Sequence, residues 1–138
     1  MSMSERILDF PLQRTSTPLG QVAYRHAGSE GQPLWVLLHG IGSASGSWLA
    51  QLQAAQQRGV RILAWDAPGY GQSTPVQPDQ PLARDYAARV WAWLAALACA
   101  QVHLVGHSLG CLMASAAAQA KPERVKHLWL LAPAAGYG

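Results

Sequence analysis

Ser108 stands at the centre of the pentapeptide Gly106-His107-Ser108-Leu109-Gly110, between the apolar run Val102-His103-Leu104-Val105 and the alanine-rich segment from Leu109 to Gln119. The pattern G-x-S-x-G between a buried strand and a helix is how a serine hydroxyl is presented for attack on a carbonyl. The spacing has a steric reason. A sharp strand-to-helix turn strains the central residue, and only very small residues two positions before and after it let strand and helix approach. At the helix N-terminus the backbone N–H of Leu109 would point at the oxygen that turns negative during attack. A second main-chain N–H should come from the loop His39-Gly40-Ile41-Gly42, and Ile41 is the expected donor.

Each of these residues also has a plainer reading. A serine at such a turn is commonly a helix N-cap, but the strand before it and the glycines around it favour the nucleophile. His39 and His107 flank the serine and are expected to shape loops; His107 precedes Ser108 too directly to fold back as its base. Asp66, beside Pro68-Gly69, is expected to anchor a loop by accepting backbone N–H bonds. Cys111, one turn after Ser108, and Cys99 are the only cysteines. They lie in no CxxC or Cys/His spacing, so packing is expected rather than a disulfide or a zinc site. No metal or cofactor is called for. Trp91 and Trp93 suit helix packing, and Trp48 could line the mouth of a pocket.

The elements that must position these groups alternate between strand-like and helix-like segments, the pattern of a mostly parallel sheet with helices on both faces, an α/β fold. Residues 6–13 and 21–27 read as an antiparallel hairpin around the turn Thr15–Gly20. Leu34–Leu38 is a continuous apolar run, as in a strand covered on both faces. Trp48, Leu49, Leu52 and Ala55 recur at helical spacing up to Gly59. Val60–Trp65 reads as a second central strand, followed by an irregular connection through Pro75, Pro78 and Pro81 expected to pack over the site. From Leu82 to Ala98, Tyr86, Val90, Trp93 or Leu94, and Leu97 share a stripe, with Asp85 set to pair with Arg89 four residues on. Val125–Leu131 is a last strand, and residues 134–138 read as a loop.

His39-Gly40, then Asp66-Ala67-Pro68-Gly69-Tyr70-Gly71-Gln72-Ser73, then Gly106-His107-Ser108-Leu109-Gly110, in this order, resemble the α/β-hydrolase superfamily over about residues 20–133. The resemblance implies sheet order 1-2-4-3-5-6, with residues 1–138 as the N-terminal part of a single domain truncated after about the sixth strand. In that fold the order is nucleophile, acid, histidine. After Ser108 only Glu123 and His127 occur, both before the last strand, at the wrong end of the sheet. The family's acid and histidine follow its seventh and eighth strands, which this chain lacks, as it lacks any lid.

The resemblance therefore implies a serine hydrolase acting on a small ester, lactone, amide or C–C bonded substrate through an acyl-enzyme on Ser108. Two other readings stand beside it: acyl transfer on the same residues, and a truncated, catalytically incompetent binding or interaction module. A serine at the elbow argues against the epoxide hydrolases and haloalkane dehalogenases, which use aspartate there. Composition narrows the rest. Eight Arg and two Lys are spread among seven acids, net +3, without a run of like charge, which gives no footing for nucleic acid or a membrane surface. No signal-like or membrane-spanning apolar run occurs, so a cytoplasmic protein with a small-molecule substrate is expected. An apolar last strand with one side unpaired would invite self-association.

Overall fold

The computed structural model describes residues 6–77 and 79–132; Pro78 and the loop expected at 134–138 lie outside the described residues. Among the described residues six strands form one sheet: β1 (Gln13–Thr17), β2 (Gly20–Ala27), β3 (Leu34–Leu38), β4 (Arg61–Trp65), β5 (Val102–His107) and β6 (Val125–Leu131). Their spatial order is β1-β2-β4-β3-β5-β6, the order the resemblance implied. The pairs β4/β3, β3/β5 and β5/β6 are parallel, while β1/β2 and β2/β4 are antiparallel. Among the described residues, three helices of ten residues or more complete the architecture: α1 (Leu49–Arg58), preceded by a 3-10 turn over Ser45–Trp48, α2 (Ala83–Ala96) and α3 (Gly110–Ala120).

The continuous apolar runs follow from burial on two sides. On β3, Val36 and Leu38 face a core closed by Trp93 and Leu94 of α2 and Met113 and Ala114 of α3. Leu37, between them, faces the opposite side with Leu52 and Ala55 of α1. A strand sandwiched this way has no face left for polar residues. Helix α1 stops at Gly59, whose left-handed φ of 65° closes it through an N–H bond to the Ala55 carbonyl. No helix among the described residues is long and apolar enough to cross a membrane.

Three sequence expectations are corrected. The first strand is not at 6–13 but at Gln13–Thr17, inside the stretch read as a turn. The reversal takes only Pro18-Leu19, with Thr17 opposite Gly20. Thr17 Oγ1 supplies the reason, donating to the Gly20 carbonyl at 2.7 Å and accepting from Leu19 N–H at 3.0 Å. Ile7 and Phe10 instead pack against the α1-side core. Second, Asp85 and Arg89 do not pair. Asp85 accepts the Leu82 N–H at 2.7 Å and so caps α2, whereas Arg89 lies on the buried stripe and donates to the Thr74 and Pro75 carbonyls at 2.8 and 3.2 Å. Third, the connection after β4 does not simply drape over the site. Thr74 N–H bonds the Gln21 carbonyl and Gln21 N–H bonds Thr74 Oγ1, so this stretch runs along β2.

Candidate active site

Strand β5 ends at His107, and Ser108 follows with φ of 55°, a left-handed conformation that costs a side-chain-bearing residue of order 1–3 kcal/mol. Bonds on both sides hold it there: Ser108 N–H donates to the Leu131 carbonyl of β6, and the Ser108 carbonyl accepts Cys111 N–H, each at 3.0 Å. The flanking glycines answer the spacing. A Cβ on Gly106 would stand 2.5 Å from the Gly110 carbonyl oxygen, and one on Gly110 would stand 2.2 Å from that of Leu38. Strand, elbow and helix are thus in contact with β3 at backbone distance, and any side chain would separate them.

The loop after β3 reaches the same place. A Cβ on Gly40 would lie 2.8 Å from Ser108 Cβ and 3.4 Å from Ser108 Oγ. The Gly40 carbonyl accepts from two donors, His39 Nδ1–H at 2.8 Å and Ser43 N–H at 3.3 Å. Because the peptide bonds here are trans, the Ile41 N–H projects opposite that carbonyl. The Ile41 side chain itself is exposed, so only its backbone can bear on the site.

His39 is buried and locked from both ends: its Nε2 accepts Ala67 N–H at 2.9 Å while Nδ1–H donates to Gly40. That pair of bonds fits only the neutral Nδ1-protonated ring. Burial holds its pKa below the usual imidazole value, partly offset by the Gly40 carbonyl and Asp66. Tyr70 meets the ring edge-on with centroids 5.1 Å apart. Asp66 is likewise an anchor: buried, it accepts Ser45 N–H at 2.8 Å, so the turn before α1 hangs from the end of β4. Sequence reading found both residues but not their connection, since the Ala67-to-His39 bond spans 28 positions and has no local signal. It missed Arg89 altogether as the tether of the Thr74-Pro75 strap.

The remaining candidates separate. His107 is exposed and meets Trp48 edge-on at 6.3 Å. Trp48 walls a trough of about 420 Å³ on the α1 side, with Trp35, Val105, Trp129 and Leu131. Trp91 Nε1 bonds the Ala117 carbonyl at 3.0 Å and fastens α2 to α3, and Trp93 stacks on Trp65 at 5.8 Å. Cys99 and Cys111 are buried free thiols; burial pushes both up from the ordinary thiol value. Glu123 sits in the 3-10 turn Pro122–Arg124 before β6. His127 pairs in register with His103, four residues before the level of His107 and Leu131. At about 3.3 Å per residue that is ~13 Å from the elbow along the sheet, beyond hydrogen-bond reach.

A family model described as alpha/beta hydrolase fold matches residues 33–137. The (E)-2-((N-methylformamido)methylene)succinate hydrolase of Acinetobacter baylyi is 32% identical over 102 residues, which are 74% of this chain and 38% of that protein. The 2-hydroxy-6-oxononadienedioate/2-hydroxy-6-oxononatrienedioate hydrolase of Paraburkholderia xenovorans is 32% identical over 119 residues, 84% of this chain and 41% of that one. A hydrolase of Pseudomonas aeruginosa of known structure is 33% identical with a TM-score of 0.81, covering 92% of this chain and 48% of the other. The chain therefore spans less than half the length of these relatives.

Proposed function

The chain belongs to the alpha/beta hydrolase fold family, and from that premise we propose that it is the nucleophile-bearing part of a serine hydrolase acting on a small ester, lactone, amide or C–C bonded substrate. Ser108 Oγ attacks the substrate carbonyl, the proton passes to a base, and the carbonyl oxygen becomes an oxyanion between the N–H groups of Leu109 and Ile41. Collapse expels the leaving group and leaves an acyl ester on Ser108, which water then cleaves. The observation that carries this reading is the approach of Gly40 to Ser108, 2.8 Å from a would-be Cβ to Ser108 Cβ, which supports the loop beside it as the source of the second backbone donor. Preorganised donors of this kind supply the largest single share of such catalysis. His39 acts at one remove, through the Gly40–Ile41 peptide, and is a positioning residue.

The base and acid are not supplied by residues 109–132, because Glu123 and His127 lie toward the amino end of the parallel strands. The chain alone is expected to turn over orders of magnitude more slowly than a complete triad enzyme. A second reading is a binding module that keeps the family's nucleophile half without turnover. Acylation by an activated ester discriminates them, since a good leaving group asks little of a base. Incubation with p-nitrophenyl acetate should give one acetyl group per chain, mapped to Ser108 by mass spectrometry and absent in Ser108→Ala. Acetylation confined to lysines or the N-terminus, with Ser108 unmodified, would overturn the hydrolase reading and leave the binding module.

A further inference from the structure

The loop from His39 to Ser45 carries the Ile41 N–H, and its middle does little to hold it in place. Ile41 is 56% exposed, and a Cβ on Gly42 would meet nothing within 4 Å. Its shape is therefore set at its ends. One end is His39, bonded at both ring nitrogens. The other is Ser45, 1% exposed, whose N–H donates to Asp66 Oδ1 at 2.8 Å and whose Oγ accepts Arg25 Nε–H at 3.2 Å. Asp66 N–H in turn donates to the Ala23 carbonyl at 2.8 Å, two residues before Arg25 on β2. These three bonds close a ring that runs from β2 to the loop, on to the end of β4, and back to β2.

We propose that Arg25 is a positioning residue for the oxyanion, acting through Ser45; this rests on the reading of Ile41 as the second donor. Arg25 lies on the α1 side of β2, opposite Ala64, while its neighbour Tyr24 faces the α2 side. Half-buried there, its guanidinium holds two acceptors at once: Ser45 Oγ through Nε, and the Phe10 carbonyl through Nη1 at 2.7 Å. The guanidinium is a rigid fork, so the bond to Phe10 also fixes the direction of the N–H given to Ser45. Phe10 is itself fastened, its N–H bonding the Ile7 carbonyl at 2.9 Å and its side chain packing against the α1-side core.

From Ser45 the constraint passes back along the loop to Ser43, whose N–H donates to the Gly40 carbonyl at 3.3 Å. That carbonyl and the Ile41 N–H belong to one peptide, and a planar peptide turns as one piece. With Ser45 loosened, Ser43 no longer holds the peptide from its side. The bond from His39 remains, and the peptide can swing about it. The plainer role for Arg25 is to fasten residues 6–10 to β2, which would change stability and leave the oxyanion donors where they are.

An ester and its thiono analogue separate the two roles. They differ in the atom that enters the oxyanion site, and sulfur is the larger atom and the weaker hydrogen-bond acceptor. A misplaced donor therefore slows the ester more than the thionoester, whereas a loss of folded protein lowers both rates alike. The probes are p-nitrophenyl acetate and p-nitrophenyl thionoacetate, with acylation at Ser108 followed by mass spectrometry. In Arg25→Met the ester rate should fall about tenfold or more, part of the ~10²–10³-fold attached to a whole donor, and the ester-to-thionoester ratio should fall with it. Ser45→Ala removes the hydroxyl but keeps the N–H to Asp66, and should lower the ratio in the same direction. The double variant should lower it no further than Arg25→Met does, because the two residues act through one bond. Arg61→Met is the control: Arg61 bonds His26 Nε2 at 3.1 Å at the start of β4, and its loss should leave the ratio unchanged. A ratio within twofold of wild type in Ser45→Ala, or in folded Arg25→Met, would overturn the role of Arg25 and leave the acyl-enzyme reading standing. A wild-type chain that takes no acetyl group at Ser108 would overturn that reading, and this proposal with it.

Discussion

Gly40→Ala puts the geometry of the nucleophile to its most direct test. The added Cβ would stand 2.8 Å from Ser108 Cβ and 3.1 Å from the His107 carbonyl oxygen. Carbon–carbon contacts settle near 3.5–4.0 Å, so loop and elbow must part by about 0.7 Å or more. Neither can do so freely. The elbow is held by the Leu131 carbonyl and Cys111 N–H, and the Gly40 carbonyl by His39 and Ser43. Overpacking of this kind costs ~1–3 kcal/mol of stability. A displaced Ile41 N–H costs more where it matters: losing one oxyanion donor slows reaction ~10²–10³-fold, about 2.7–4 kcal/mol. The second-order rate of Ser108 acetylation by p-nitrophenyl acetate, read by mass spectrometry beside the thermal midpoint, separates the two effects. Gly46→Ala is the control, since its Cβ meets nothing nearer than 3.9 Å. Acetylation of a folded Gly40→Ala within twofold of wild type would refute the claim that this loop supplies the second donor.

Other outcomes follow from the loops that brace the site. Arg89→Met removes the donors to the Thr74 and Pro75 carbonyls, two charge-assisted bonds, and should cost ~1–3 kcal/mol in urea unfolding; an unchanged midpoint would show that the strap holds itself. His39 is kept neutral by burial, its folded pKa lying below the unfolded value of about 6.5. Its contribution to stability is therefore complete above that value and declines as pH falls below it and toward the folded pKa, because the unfolded chain takes up the proton more readily. The difference in thermal midpoint between wild type and His39→Gln, followed from pH ~8 to ~5, should shrink on acidification; a difference independent of pH would contradict the neutral, doubly bonded ring.

What could be read in advance was whatever chemistry and periodicity encode over a few residues. Gly106 and Gly110 announce a turn too tight for side chains, and the apolar runs 34–38 and 102–105 announce strands buried on both faces. Contacts across the chain could not be read that way. Arg89 follows Asp85 by four positions, which locally predicts an ion pair, yet the carbonyls of Thr74 and Pro75 take the guanidinium because the strap folds over that face of α2. The first strand was misplaced because a polar edge strand resembles a turn in composition: Gln13–Thr17 pairs on one side only and needs no apolar pattern. His39 carried a loop-shaping role in the sequence, but its tie to Ala67 is a property of two neighbouring parallel strands, β3 and β4.

The bond from Ser108 N–H to the Leu131 carbonyl makes the strained turn proposed to carry the nucleophile depend on β6, the outermost strand among the described residues. Edge strands open and close locally more easily than the core. Each opening of β6 frees Ser108 to relax out of its left-handed conformation, so the reactive shape exists for only the fraction of time that β6 is seated. A local opening free energy of about 1.4 kcal/mol would leave it seated roughly nine parts in ten, and doubling that free energy would cut the unseated fraction another tenfold. Amide hydrogen exchange at Ser108 reports this fraction directly: the proton of that residue serves as a clock for the seating of β6.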